Sequence, residues 1–126
     1  MPRASGRTRT MFVSYETSLD LCDCICNLAP VIATRNRNLA DQMLRAAQSV
    51  SLNLAEGARH WDGNRGKHFR IAHGSAYEVK AAVDVAIRFR WIESAPRTYA
   101  TLDHLLALLW GLTRVRKTPA QREQAI

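Results

Sequence analysis

Apolar residues recur at steps of three and four from Tyr15 onward, through Leu19, Cys22, Ile25 or Cys26, Ala29 and Ile32. That spacing is one face of a helix. Pro30 lacks an amide donor and crowds the turn before it, so a kink or an early end is expected there. The polar stretch 34–38 reads as a turn, with Asn38 as the next N-cap and Asp41 at the capping-box distance. A second stripe, Met43, Ala46 or Ala47, Val50 and Leu54, predicts a helix over about 39–56, with Gly57 at its C-cap. Residues 58–65 are polar and include Gly63, which predicts a loop whose one large apolar residue is Trp61. The third stripe runs through Phe69, Ala72, Ala76, Val79, Val83 and Ala86 or Ile87 to the segment Phe89–Trp91, a helix over about 66–92, with Pro96 as its stop. The fourth predicts a helix over about 98–116 on Leu102, Leu105 or Leu106, Leu109, Leu112 and Val115.

No window alternates as a half-buried strand does. Four amphipathic helices with short connections imply an all-α fold, an antiparallel up-down-up-down four-helix bundle. The 126 residues are enough for one domain with its own core. The expected division is a basic N-terminal arm over 1–13, a bundle over 14–117 and a polar tail over 118–126. The last helix carries leucine on more than one side, at 102, 105, 106, 108, 109 and 112. So wide an apolar face predicts contact with another subunit, hence a homo-oligomer. No 18-residue apolar run is present, so no membrane span is expected.

Charge adds a second pattern. The formal net charge is +7, but residues 1–10 hold Arg3, Arg7 and Arg9 without an acid, and residues 113–126 hold Arg114, Arg116, Lys117 and Arg122 against Glu123. The intervening body is nearly neutral. A local basic cluster, Arg59, Arg65, Lys67 and Arg70, surrounds the loop between the second and third helices. Such groups contact phosphate by charge with little sequence preference, or serve as solvated, solubilising surface.

Reactive side chains are present but not arranged for catalysis. Cys22, Cys24 and Cys26 lack a second ligand pair for zinc, and the four histidines supply no matching arrangement. On a helix Cys22 and Cys26 share a side, as packing residues, while Cys24 points away as an incidental thiol. The basic start is followed by no sustained apolar segment, so the expectation is a chain without a signal peptide, cytoplasmic and reduced. The run from Gly63 to Lys67 is not a phosphate loop, because Trp61 and His68 stand where that motif needs glycine and a hydroxyl. Ser75 has no base placed to activate it, though Glu78 is within reach along the helix. Ser49, Asn53 and Glu56 interleave with the apolar stripe of the second helix and, with Glu78, suggest a partly buried polar layer between the second and third helices. No catalytic residue, cofactor or metal is expected.

Two segments carry a resemblance. Residues 42–57 read QMLRAAQSVSLNLAEG, and residues 69–78 read FRIAHGSAYE. They resemble the signature of the protein family encoded in 23S ribosomal RNA intervening sequences, roughly Q-x-x-R-A-A-x-S-[IV]-x-x-N-[IL]-A-E-G followed by F-x-x-A-x-G-S-x-x-E. The likeness extends over about 15–116 and reaches the accessory variability determinant of diversity-generating retroelements, a small basic bundle associated with a reverse transcriptase and its RNA. It implies a bacterial four-helix bundle that assembles as a homopentamer and has no enzymatic activity. It assigns Asn53, Glu56, Gly57, Gly74, Ser75 and Glu78 to a structural signature, with Gly57 ending the second helix and Gly74 allowing close approach to the third. The N-terminal arm and the 61–67 loop depart from the family pattern. The expected role is electrostatic binding of RNA, DNA or a nucleoprotein; the alternative is a scaffold for a protein partner.

Overall fold

The computed structural model describes residues 5–114, and their helices are α1 (Gly6–Ala33), α2 (Arg37–Ala58), α3 (Gly63–Arg88) and α4 (Pro96–Thr113). Each helix packs on its neighbours in chain order and α4 closes back on α1. The molecule is thus an all-α four-helix bundle with helices running alternately up and down, as the periodicity predicts.

The element ends differ from the expectation for local reasons. Ser5 caps α1, its hydroxyl accepting from the Thr8 amide at 3.1 Å, so residues 6–13 are helical rather than an arm. The alternation of arginine and threonine there hides the helix, because it offers no apolar stripe. α1 ends three residues past Pro30, at Ala33. The cap of α2 is Asn36, not Asn38: Asn36 Oδ1 accepts from the Leu39 amide at 2.9 Å, while Asp41 is exposed and forms no capping box. Asp62 caps α3, accepting from Asn64 N at 3.0 Å, which shortens the expected loop to four residues, Arg59 to Asp62. Pro96 opens α4 rather than stopping α3, since its fixed φ suits a first turn and its missing amide is not needed there.

The core is built by the predicted stripes of α2, α3 and α4. Met43, Val50, Leu54, Phe69, Val79, Val83, Leu102, Leu105 and Leu109 are all fully or almost fully buried. Each such large side chain contributes roughly 1.5–3 kcal/mol of burial. α1 is rotated from its expected face in its first half. Ser14, Thr17, Ser18 and Leu21 point inward, while Leu19 is exposed and Tyr15 half-buried. The inward hydroxyls are satisfied by carbonyls one turn back, as in Ser14 to Thr10 at 2.6 Å and Thr17 to Val13 at 2.7 Å. Ser18 also meets Ser51 of α2 at 2.9 Å. The cysteines follow the same rotation: Cys24 is the buried one, Cys22 is half-buried and Cys26 is exposed.

Both signature glycines behave otherwise than expected. Gly57 does not end α2; it is buried inside the helix, and a Cβ there would lie 2.6 Å from Phe69 Cε1. Gly57 is therefore the close-approach residue between α2 and α3. Gly74 is exposed, and a Cβ there would meet nothing within 4 Å.

Candidate nucleic-acid interface

Alternating helix direction places the start of α1, the α2–α3 loop and the end of α4 at one pole of the bundle. A direct contact fixes this: Arg7 of α1 donates through Nη2 to the Leu112 carbonyl near the end of α4, at 3.0 Å. Three regions that are basic and far apart in sequence therefore converge. Arg7, Arg9, Arg59, Arg65, Lys67, Arg70 and Arg114 share this pole with the carboxylates of Glu56 and Asp62. Arg3, Arg116, Lys117 and Arg122 lie outside the described residues.

The seven cations are not equivalent. Arg7 is occupied at an α4 carbonyl, where a cation also suits the helix dipole. Arg59 Nη1 lies 3.6 Å from Glu56 Oε2, an exposed pair of little energetic weight. Arg65 donates to the Ala58 carbonyl at 3.3 Å and lies 5.0 Å from the Trp61 ring centre; its Nε finds no partner among the described residues. Arg9, Lys67 and Arg70 are exposed.

Aromatic rings stand among these charges. Trp61 is 90% exposed at the loop apex. Trp110 is 57% exposed, with Arg114 5.1 Å from its ring centre. An arginine against a largely exposed indole offers a π-face and a cation together, the combination that holds unpaired bases. The expectation read Trp61 as the apolar residue of a loop and Trp110 not at all, since neither ring position signals exposure by spacing.

The opposite pole carries a basic cluster that the sequence reading missed. Arg35 and Arg37 flank the α1–α2 turn, and Arg88, Arg90 and Arg97 flank the α3–α4 connection, with Glu93 among them. Counted along the chain, these charges vanish into a near-neutral body. They gather at one end of the bundle, away from Glu16, Asp20, Asp23, Glu78 and Asp103 along the middle of the helices, while Asp41 and Asp84 stand near them and Asp84 feels the charge of Arg88.

The polar layer between α2 and α3 exists with different pairings. Ser49 meets Ser75 at 2.8 Å, and Asn53 Nδ2 donates to the Ser49 carbonyl at 2.9 Å. Asn53 Oδ1 in turn faces His68 Nδ1 at 2.9 Å. Glu56 Oε1 lies 3.2 Å from His60 Nε2, whereas Glu78 is exposed. The imidazoles of His60 and His68 stack with centres 5.6 Å apart and planes inclined by 7°. Glu56, His60 and His68 thus converge, although the sequence places no histidine pair at a ligand spacing. Further along α3, His73 Nδ1 meets Thr113 of α4 at 3.2 Å, and burial lowers its pKa.

The bundle is similar to a solved protein of unknown function from the S23 ribosomal protein family of Bacteroides thetaiotaomicron, with a TM-score of 0.72 and 18% identity over 81% of this chain and 99% of that one. At that identity the likeness concerns the fold. No curated protein matches the chain. The profile of the 23S rRNA-intervening sequence protein family matches residues 11–111, and with the bundle and both signature segments in place, the chain belongs to that family.

Proposed function

We propose that the protein is a bacterial, cytoplasmic, oligomeric bundle that binds nucleic acid, single-stranded RNA foremost, across the pole formed by α1, the α2–α3 loop and α4. The observation that carries this reading is the convergence of seven cations with Trp61 and Trp110 at one end of the fold. Binding is electrostatic and directed at the phosphate backbone, with bases stacking on the indoles. Family and fold are consistent with a non-enzymatic protein, and among the described residues no helix is long and apolar enough to cross a membrane.

Oligomerisation fits a different face from the one the leucines of α4 suggest. Leu102, Leu105, Leu109 and Leu112 are consumed by the core of their own chain. Exposed apolar side chains instead run along α1 and α2: Phe12, Leu19, Leu44 and Leu52. Leu19, Leu44 and Leu52 line a groove of about 530 Å³ between the two helices, whereas the adjoining groove that Phe12 lines reaches Trp61 and Arg65 and stays open to nucleic acid. A second copy of the chain covers the Leu19, Leu44 and Leu52 groove, and a ring of five such contacts multiplies each weak basic pole into an avid surface.

Tryptophan fluorescence of the nuclease-treated protein tests the nucleic-acid reading. Titration with a single-stranded RNA is expected to quench the emission, and Trp61→Ala is expected to weaken binding by about 1–3 kcal/mol, the usual worth of one base–aromatic stack. Quenching with unchanged affinity in Trp61→Ala would move the interface away from the loop. An RNA-indifferent protein that retains a specific protein partner would favour the scaffold role.

A further inference from the structure

We propose that Glu56, His60 and His68 form a binding site for a divalent transition-metal ion, zinc in the first instance, that ties the end of α2 to the first turns of α3. One ligand atom from each residue lies within 4.8 Å of the other two. Tetrahedral zinc, with bonds of about 2.0–2.1 Å, holds its ligand atoms roughly 3.4 Å apart. Closing that difference takes side-chain rotation, and His60 lies beyond the last turn of α2 with its ring only partly buried.

The hydrogen bonds already prepare these donors. The Ser49 carbonyl can only accept, so the Asn53 amide nitrogen must face it, which turns Asn53 Oδ1 toward His68. His68 Nδ1 is then the donor, and its Nε2 is left with the lone pair that a metal needs. A ligating imidazole held through its other nitrogen is the usual outer-shell arrangement of metal sites. Glu56 divides its oxygens: Oε2 faces Arg59 at 3.6 Å, while Oε1 faces His60 Nε2 at 3.2 Å. A metal takes the place of the proton shared between Oε1 and Nε2, leaving the arginine contact intact. Two imidazoles and one carboxylate select zinc and its neighbours over magnesium or calcium, which prefer oxygen ligands throughout. Glu56 and His60 are partly exposed, so the ion has an entry path and water completes its coordination.

Zinc titration of the untagged full chain by calorimetry tests the site, with cobalt absorption as a second readout of coordination geometry. The expected result is one ion per chain with micromolar or tighter affinity. At least a tenfold loss is expected in Glu56→Gln, His60→Ala and His68→Ala, each checked for unchanged helicity. Asn53→Ala, which frees the His68 ring without removing a ligand, should lose about 10- to 100-fold. His104→Ala and Cys26→Ser, exposed and on other helices, should bind as the parent does. Absence of saturable one-to-one binding in the parent would overturn the proposal. So would affinity unchanged in the partly exposed His60→Ala variant, which retains the core and both helix caps.

Discussion

Gly57 and Gly74 stand in the same family signature, but only Gly57 has a packing requirement for glycine. A methyl at Gly57 would sit 2.6 and 2.8 Å from two atoms of the Phe69 ring, which is itself fully buried. Gly57→Ala should therefore destabilise the fold by about 1–3 kcal/mol of overpacking, more than the roughly 1 kcal/mol that alanine gains in a helix. Gly74→Ala meets no such obstacle and should be neutral or stabilising by up to about 1 kcal/mol. Urea unfolding of both variants checks the pair of expectations. A spacing argument identifies a glycine near a helix end but cannot say which ring will lie over it; that depends on Phe69, twelve residues later and on another helix.

The Tyr99 hydroxyl donates to Asp84, which also accepts from Lys80 at 3.2 Å. The bond from Tyr99 is the main reason that the Asp84 carboxyl titrates below its ordinary range. Burial first, and this bond second, push the Tyr99 phenol up to about 12. A lowered carboxyl stabilises the fold above its unfolded pKa and loses that contribution as pH falls through the folded value. A raised phenol stabilises below its unfolded pKa and loses its contribution as pH rises through the folded one. The stability lost in Tyr99→Phe should hence be largest near neutrality. It should shrink below about pH 4 and again between about pH 10 and 12. Urea midpoints at pH 3, 7 and 11 measure it, and a gap independent of pH would contradict the assignment.

Among the elements, α1 departs most from its sequence pattern. Its inward face begins with Ser14, Thr17 and Ser18, and its outward face keeps Phe12 and Leu19. The hydroxyls are tolerated inside because each bonds to its own helix, a compensation that hydrophobic periodicity does not register. Leu19, with Leu44 and Leu52 of α2, forms the strip assigned to a second copy. Replacing Leu44 and Leu52 by glutamate should lower the mass measured by light scattering to that of a monomer while leaving the helical signal intact. Trp110→Glu on α4, outside the strip, should leave the assembly unchanged. The stripes of α2, α3 and α4, by contrast, were legible residue by residue, because their buried positions are mostly apolar at regular helical steps. Helix ends were less legible. Asn36 and Asn38 are equally good caps on chemistry, and the choice between them rests on backbone direction at the turn.

Over the whole molecule, folding gathers basic groups that are scattered in sequence at the two ends of the bundle. The basic groups at the chain ends and in the α2–α3 loop were legible singly, but their shared pole follows from helix direction, and the Arg35, Arg37, Arg88, Arg90 and Arg97 pole emerges from the same rule. Engagement of nucleic acid by the pole carrying Trp61 and Trp110 is the central claim. Its most direct test is the salt dependence of single-stranded RNA affinity for the parent and two triple variants, Arg65→Ala with Lys67→Ala and Arg70→Ala, and Arg35→Ala with Arg37→Ala and Arg88→Ala. Affinity should fall steeply with salt in the parent. The log–log slope should shrink by about 0.7 for each phosphate that the first variant no longer neutralises, while the second variant stays near the parent. A slope reduced only in the second variant, or affinity indifferent to salt, would contradict the claim.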